Sequence, residues 1–118
     1  MADIAGPARA REPEDLPRLF LQRAQARDVE GVVALYEADA VMAAPNGDLV
    51  RGAAALREFY ETLFADPPPF AGTVKPALRH GDFALTSTRF PGGATAEIAH
   101  RQPDGFWLWI ADQPNVVS

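Results

Sequence analysis

The chain has 118 residues, 47% of them hydrophobic, and a net charge of −5, which suits one domain with a real core. It contains no cysteine, so disulfides, thiolate metal sites and cysteine nucleophiles are excluded and a cytoplasmic location is favoured. Ten arginines and one lysine, scattered singly in an acidic chain, argue against a nucleic-acid partner; no apolar run nears the ~20 residues of a membrane span, and the N-terminus lacks a signal peptide's apolar region.

The N-terminal stretch 1–17 is polar and rich in proline; residues 1–12 of it read as a flexible arm, leaving 13–118 as one domain. Pro13 and Pro17 bracket a helix start, since proline is tolerated in a first turn. Leu16, Leu19, Phe20 and Ala24 then keep helical spacing. Asp28 is the expected N-cap of a second short helix with Val29, Val32, Val33 and Tyr36 as its apolar positions. Ala40 to Ala44, including Met42, reads as a strand stopped by the turn Pro45-Asn46-Gly47-Asp48, and Leu49 to Arg51 returns.

After Gly52, the residues Leu56, Phe59, Tyr60, Leu63 and Phe64 form a wide helical stripe that is expected to pack on a sheet. Asp66-Pro67-Pro68-Pro69 stops that helix. From Gly72 onward the turn signals His80-Gly81-Asp82, Pro91-Gly92-Gly93 and Pro103-Asp104-Gly105 separate strand-length segments. They predict a four-stranded antiparallel meander. Helices followed by strands, without alternation, give the α+β class.

The run from Arg27 to Ala40, Arg-Asp-Val-Glu-Gly-Val-Val-Ala-Leu-Tyr-Glu-Ala-Asp-Ala, resembles the helix-to-strand signature of the nuclear transport factor 2-like superfamily. So do Arg51-Gly52 before the helix with Leu56-Arg57-Glu58-Phe59-Tyr60, and the closing Arg101-Gln102-Pro103-Asp104-Gly105-Phe106-Trp107. That group includes ketosteroid isomerases and SnoaL-like cyclases, and the likeness is to its small bacterial branch. The resemblance implies a cone-shaped fold with three helices on a curved antiparallel sheet, an open-ended apolar pocket and a homodimer paired sheet to sheet. Ketosteroid isomerases place a base just before a proline at the end of the first strand; the matching residue is Ala44. Their oxyanion tyrosine matches Phe20, whose ring donates no hydrogen bond. Their second oxyanion acid falls at Glu97, within a residue or so. Two of the three groups are therefore missing.

Glu97 sits among Ala94, Ala96, Ile98 and Ala99, where a pocket-facing carboxyl would have a raised pKa; the other reading turns it to solvent on the outer face. If the last hairpin closes with a four-residue loop, Asp112 lies opposite Glu97 and the two can divide acid and base work. The alternative is that Asp112 only caps the strand end. A one-residue slip would separate them. His100 points away from Glu97 in a strand, and with two separated histidines no metal site is expected. No cofactor motif is present.

Phe20, Tyr36, Met42, Ala44, Phe59, Tyr60, Phe64, Trp107 and Trp109 are the candidate ligand-binding residues, against the alternative of core packing or a dimer interface. Trp107 and Trp109 share a strand face, so both lie inside or both lie at the interface. Tyr36 or Tyr60 would polarise a ligand oxygen. Two functions stay open: a small enzyme that isomerises, cyclises or dehydrates an apolar carbonyl compound by proton transfer with Glu97 and Asp112 as catalytic groups, or a non-catalytic dimeric binding or accessory domain. The expected partners are a small apolar or aromatic molecule and a second copy, with no cofactor, nucleic acid or membrane.

Overall fold

The computed structural model describes residues 8–116. The chain opens with α1 (Asp15–Gln25), α2 (Val29–Val33), β1 (Tyr36–Ala43), β2 (Leu49–Arg51) and α3 (Ala53–Ala65). Seven strands come next: β3 (Thr73–Val74), β4 (Leu78–His80), β5 (Phe83–Thr86), β6 (Thr88–Phe90), β7 (Gly93–Ala94), β8 (Ala96–Arg101) and β9 (Trp107–Gln113). This is the α+β arrangement, with helices packed on a curved, mainly antiparallel sheet. Among the described residues no helix is long and apolar enough to cross a membrane.

Local chemistry sets the helix ends. At the end of α1 the Arg27 N–H bonds the Ala24 carbonyl and the Asp28 N–H bonds the Arg23 carbonyl, with Arg27 at φ 56°. This is a Schellman closure with arginine where glycine is usual. Asp28 then caps α2 by accepting the Gly31 N–H at 2.9 Å. A Cβ on Gly31 would sit 2.2 Å from Asp28 Oδ2, so a larger residue there would push the capping carboxylate from its present place. On α3, Leu56, Tyr60 and Phe64 are buried against the sheet. Phe59 and Leu63 are half-buried and face a cavity, so only part of the expected stripe packs on strands.

Six strands run in the order β2-β1-β9-β8-β5-β4, and β3-β6-β7 form a second small sheet. The β1–β9 pair is parallel. The expected single meander is thus corrected: its long hairpin breaks at Ser87 and Thr95. There the Ser87 hydroxyl donates to the Thr95 carbonyl at 2.7 Å and Thr95 Oγ1 accepts the Thr88 N–H at 2.9 Å. Side-chain oxygens take over from ladder bonds, so the hairpin bends without leaving its backbone unpaired.

Tyr36 is also corrected, from the second helix to the first residue of β1. Its backbone pairs with Trp109, and the Trp109 N–H bonds the Leu35 carbonyl at 2.8 Å, which pulls the chain out of the helix. Of the arm expected over 1–12, residues 1–7 lie outside the described residues. The rest is docked: Ala10 is buried and its carbonyl accepts the Trp107 N–H at 2.9 Å. Trp107 and Trp109 are both inside, 1% and 2% exposed.

The last hairpin decides which faces Glu97 and Asp112 occupy. Arg101 pairs with Trp107, so the loop has five residues, 102–106, where four were expected. Strict pairing from there would set Glu97 against Ala111. A bulge at Ile110 adds one residue to β9, so Ala99 pairs with Trp109 but Ile98 with Ala111 and Glu97 with Asp112. The extra residue turns Asp112 onto the face that Trp109 occupies.

Candidate functional site

A cavity of about 550 Å³ lies between α1, α3 and the sheet. α1 gives it Pro17, Phe20 and Leu21, and α3 gives Phe59, Tyr60 and Leu63. Pro68, Pro69, Phe70 and Ala71 come from the segment after α3. The strands give Met42, Thr88, Phe90, Glu97, Trp109 and Asp112, with Thr95 at the kink between β7 and β8. Pro45, Pro91 and Pro114 complete the wall from loops.

Two rows of paired residues make the floor. Thr86, Glu97, Asp112 and Met42 stand side by side on β5, β8, β9 and β1. Behind them, the small residues Ala84 and Ala99 leave room for the Trp109 ring, which packs on Tyr36 at 5.3 Å and Phe20 at 6.0 Å. Tyr60 meets Phe20 at 6.1 Å and Phe59 at 5.2 Å.

The polar groups on this floor form two directional chains. An indole N–H only donates, so Trp109 Nε1 gives its hydrogen to Thr86 Oγ1 at 3.0 Å. Thr86 in turn donates to Glu97 Oε1 at 2.6 Å. On the other side the Tyr36 hydroxyl donates to Asp112 Oδ2 at 2.6 Å. That uses its one hydrogen, so the Tyr60 hydroxyl, 2.7 Å away, donates to Tyr36. Oε1 and Oδ2 are therefore acceptors, and the proton of a protonated Glu97 sits on Oε2.

Glu97 is 5% exposed, and burial followed by the negative charge of Asp112 pushes its pKa from 4.5 up to about 8. Asp112 is half-buried; burial raises its carboxyl from 3.8 to about 6, against the Tyr36 hydrogen bond that lowers it. The two titrate as a pair in which Asp112 ionises first. Burial, then the Asp112 charge, holds the Tyr36 and Tyr60 hydroxyls well above the ordinary tyrosine range, so both remain neutral donors. At neutral pH the floor offers one acid proton, on Glu97, and one carboxylate, on Asp112.

Several expected ligand-binding residues do not line the cavity. Tyr36 stands behind Asp112, and its hydrogen bond and that of Tyr60 point along the floor, so neither polarises a ligand oxygen. Phe64 packs against Tyr60 at 5.5 Å and Phe70 at 5.6 Å, outside the wall. Trp107 is at the far end of β9, 5.1 Å beneath the Arg79 guanidinium. Ala44 forms the base of the turn, its N–H on the Asp48 carbonyl, and Pro45 lines the cavity instead. Phe20, Met42, Phe59, Tyr60, Trp109, Glu97 and Asp112 do line it. His100 points outward, as its strand position requires, and its Nδ1 pairs with Glu37 at 2.7 Å.

Sequence reading missed Thr86, which alternation with Ala84 marks as inward once β5 is known. It also read Pro68 and Pro69 only as a helix stop. Thr88, Phe90 and Thr95 lie at or beyond the two kinks, where alternation gives no guide. No group of three or more histidine, aspartate or glutamate side chains that could hold a metal occurs among the described residues.

A family model described as "SnoaL-like domain" matches residues 18–112. No curated protein matches the chain. Among solved structures, a ketosteroid isomerase-like protein from Erwinia carotovora atroseptica is 19% identical with a TM-score of 0.73, covering 85% of this chain and 89% of that one. A putative calcium/calmodulin-dependent protein kinase type II association domain from Thiobacillus denitrificans is also 19% identical with a TM-score of 0.73, covering 92% and 98%. A nuclear transport factor 2-like protein of unknown function from Pseudomonas putida is 21% identical with a TM-score of 0.67, covering 84% and 80%. At such identities the likeness establishes the fold.

Proposed function

The chain belongs to the SnoaL-like domain family of the nuclear transport factor 2-like superfamily, and on that premise we propose that it moves protons on an apolar carbonyl compound held in the cavity. One observation carries this reading: Glu97 and Asp112 are paired across β8 and β9 at the wall of an apolar cavity, with pKa values pushed to different heights. Asp112 takes a proton from the carbon beside the carbonyl. The C–H electron pair moves into the new C=C bond, and the carbonyl oxygen becomes an enolate held by the Glu97 O–H. Return of the proton from Asp112 to a conjugated carbon, as the enolate oxygen reverts to a carbonyl, restores the enzyme and completes an isomerisation; return to the same carbon gives hydrogen exchange alone.

A model ketone tests it. In heavy water, tetralone is expected to exchange its α-hydrogens faster with the protein than with buffer, as read by NMR. The rate is expected to rise as Asp112 ionises near about pH 6 and fall as Glu97 loses its proton near about pH 8. Exchange no faster than buffer at any pH overturns the enzyme reading. What then stands is a binding domain without chemistry, which Phe20 at the tyrosine position and the acid-free turn at Ala44 favour.

The Trp pair, being internal, does not support dimerisation, but the outer sheet face does. Leu85, Ile98, Ala111 and Val41 lie in one cross-strand row there, with Leu85 49% and Ile98 39% exposed, and Phe83 and Leu49 flank them. We propose that a second copy covers this face in the cytoplasm. Sedimentation at micromolar concentration is expected to give a dimer; a monomer would rule this out.

A further inference from the structure

Every arginine ion pair among the described residues is at the surface: Arg9–Asp104, Arg18–Asp15, Arg57–Glu30, Arg79–Glu12 and Arg101–Asp82. Among the described residues no arginine, lysine or histidine lines the cavity. The ionisable groups that face its floor are Tyr60 from α3, Tyr36 from β1, Glu97 from β8 and Asp112 from β9; α1 contributes none. A carboxylate inside a protein is ordinarily paired with a cation. Here none is supplied by the described chain. The walls add the rings of Phe20, Phe59, Tyr60, Phe70, Phe90 and Trp109, whose faces attract a cation and do not neutralise it.

We propose that the missing cation arrives with the ligand: the cavity binds an apolar ring compound that carries one protonated nitrogen, seated against Asp112 and Glu97, and it turns away carboxylates and phosphates. The inference rests on the reading of this cavity as the ligand site; an amine seated there occupies the Asp112 oxygen and draws off the Glu97 proton that the ketone chemistry uses, so it competes with a ketone substrate and is not itself turned over. An ammonium group donates to the Asp112 oxygen left free by Tyr36 and relieves the crowding of two acids. An added anion would worsen that crowding. Binding should also expel a proton from the pair, because a nearby positive charge favours both carboxylates.

One skeleton in three charge states tests the proposal by calorimetry: aminotetralin, tetralone and tetralin carboxylic acid. At pH 8 the amine is expected to bind on the order of tenfold tighter than the ketone, and the acid on the order of tenfold weaker. Amine affinity is expected to rise between about pH 5 and pH 8, while ketone affinity falls as Glu97 loses its proton. Titration at pH 7 in two buffers of different ionisation enthalpy reads proton release on amine binding. Asp112→Asn should weaken the preference for amine over ketone, the remainder resting on the Glu97 carboxylate; the pH series on the unaltered protein keeps the test decisive if that variant fails to fold. Amine affinity equal to or below that of the ketone, or flat with pH, overturns the proposal. Ketone exchange persisting alongside that result leaves the proposed function standing. Tight amine binding without ketone exchange upholds the charge selection and rejects the chemistry, and no binding of any of the three rejects both.

Discussion

Raising the pH from about 5 to about 9 is expected to destabilise this protein by on the order of a few kcal/mol, and Glu97→Gln is expected to remove most of that loss. The folded protein holds a proton on Glu97 that the unfolded chain releases. Its carboxyl titrates near 4.5 when unfolded and near about 8 when folded. Between those values the native state binds more protons, so stability falls as pH rises through the window and levels off above it. Asp112 acts in the same direction at lower pH, between 3.8 and about 6. Other carboxylates pull the opposite way in acid. The Ala77 N–H holds Glu14 below its ordinary value, and hydrogen bonds from Gln102 and His100 outweigh burial to lower Glu37. The opposing windows cross in the ordinary carboxylate range, so the stability maximum should lie at about pH 4. Glutamine keeps a donor and an acceptor on the floor but does not titrate. Denaturant melts of both proteins across the pH range check this; parallel curves would mean that Glu97 is already ionised in the folded state.

Trp107→Ala is expected to cost about 3–5 kcal/mol, the range for truncating a large buried aromatic side chain. The indole is 1% exposed. It lies under the Arg79 guanidinium at 5.1 Å and the Arg101 guanidinium at 6.0 Å, and the docked Ala10 is bonded to its backbone. Alanine leaves a void and loosens the seat of the segment before α1. The cavity is elsewhere along β9, so ligand affinity of the protein that remains folded should not change. A loss under about 1 kcal/mol in denaturant melts would show that the neighbours collapse into the gap.

The helices and turns are legible in the sequence because their signals are local. The spacing of Leu56, Tyr60 and Phe64 and the three glycine-bearing turns need no knowledge of distant contacts. Features that depend on pairing are not. Tyr36 lies at helical spacing from Val32 and Val33, and only the ladder with β9 makes it a strand residue. Ile110 carries no mark of a bulge, since isoleucine suits a regular strand. The opposition of Glu97 and Asp112 is expected through a four-residue loop; the structure reaches it through five residues and a bulge. Thr86 is invisible in the sequence because its role comes from Trp109 and Glu97, each on a different strand.

The proline wall has a kinetic consequence. Pro17, Pro45, Pro68, Pro69, Pro91 and Pro114 line the cavity, and all but Pro17 lie outside helices and strands. A proline backbone has already lost one of its two soft torsions. Such loops have little freedom left to surrender when a guest arrives, so entry need not wait for a flap to order itself. Arrival rates should then vary little from one guest to another. Discrimination among molecules would reside in how long each one stays.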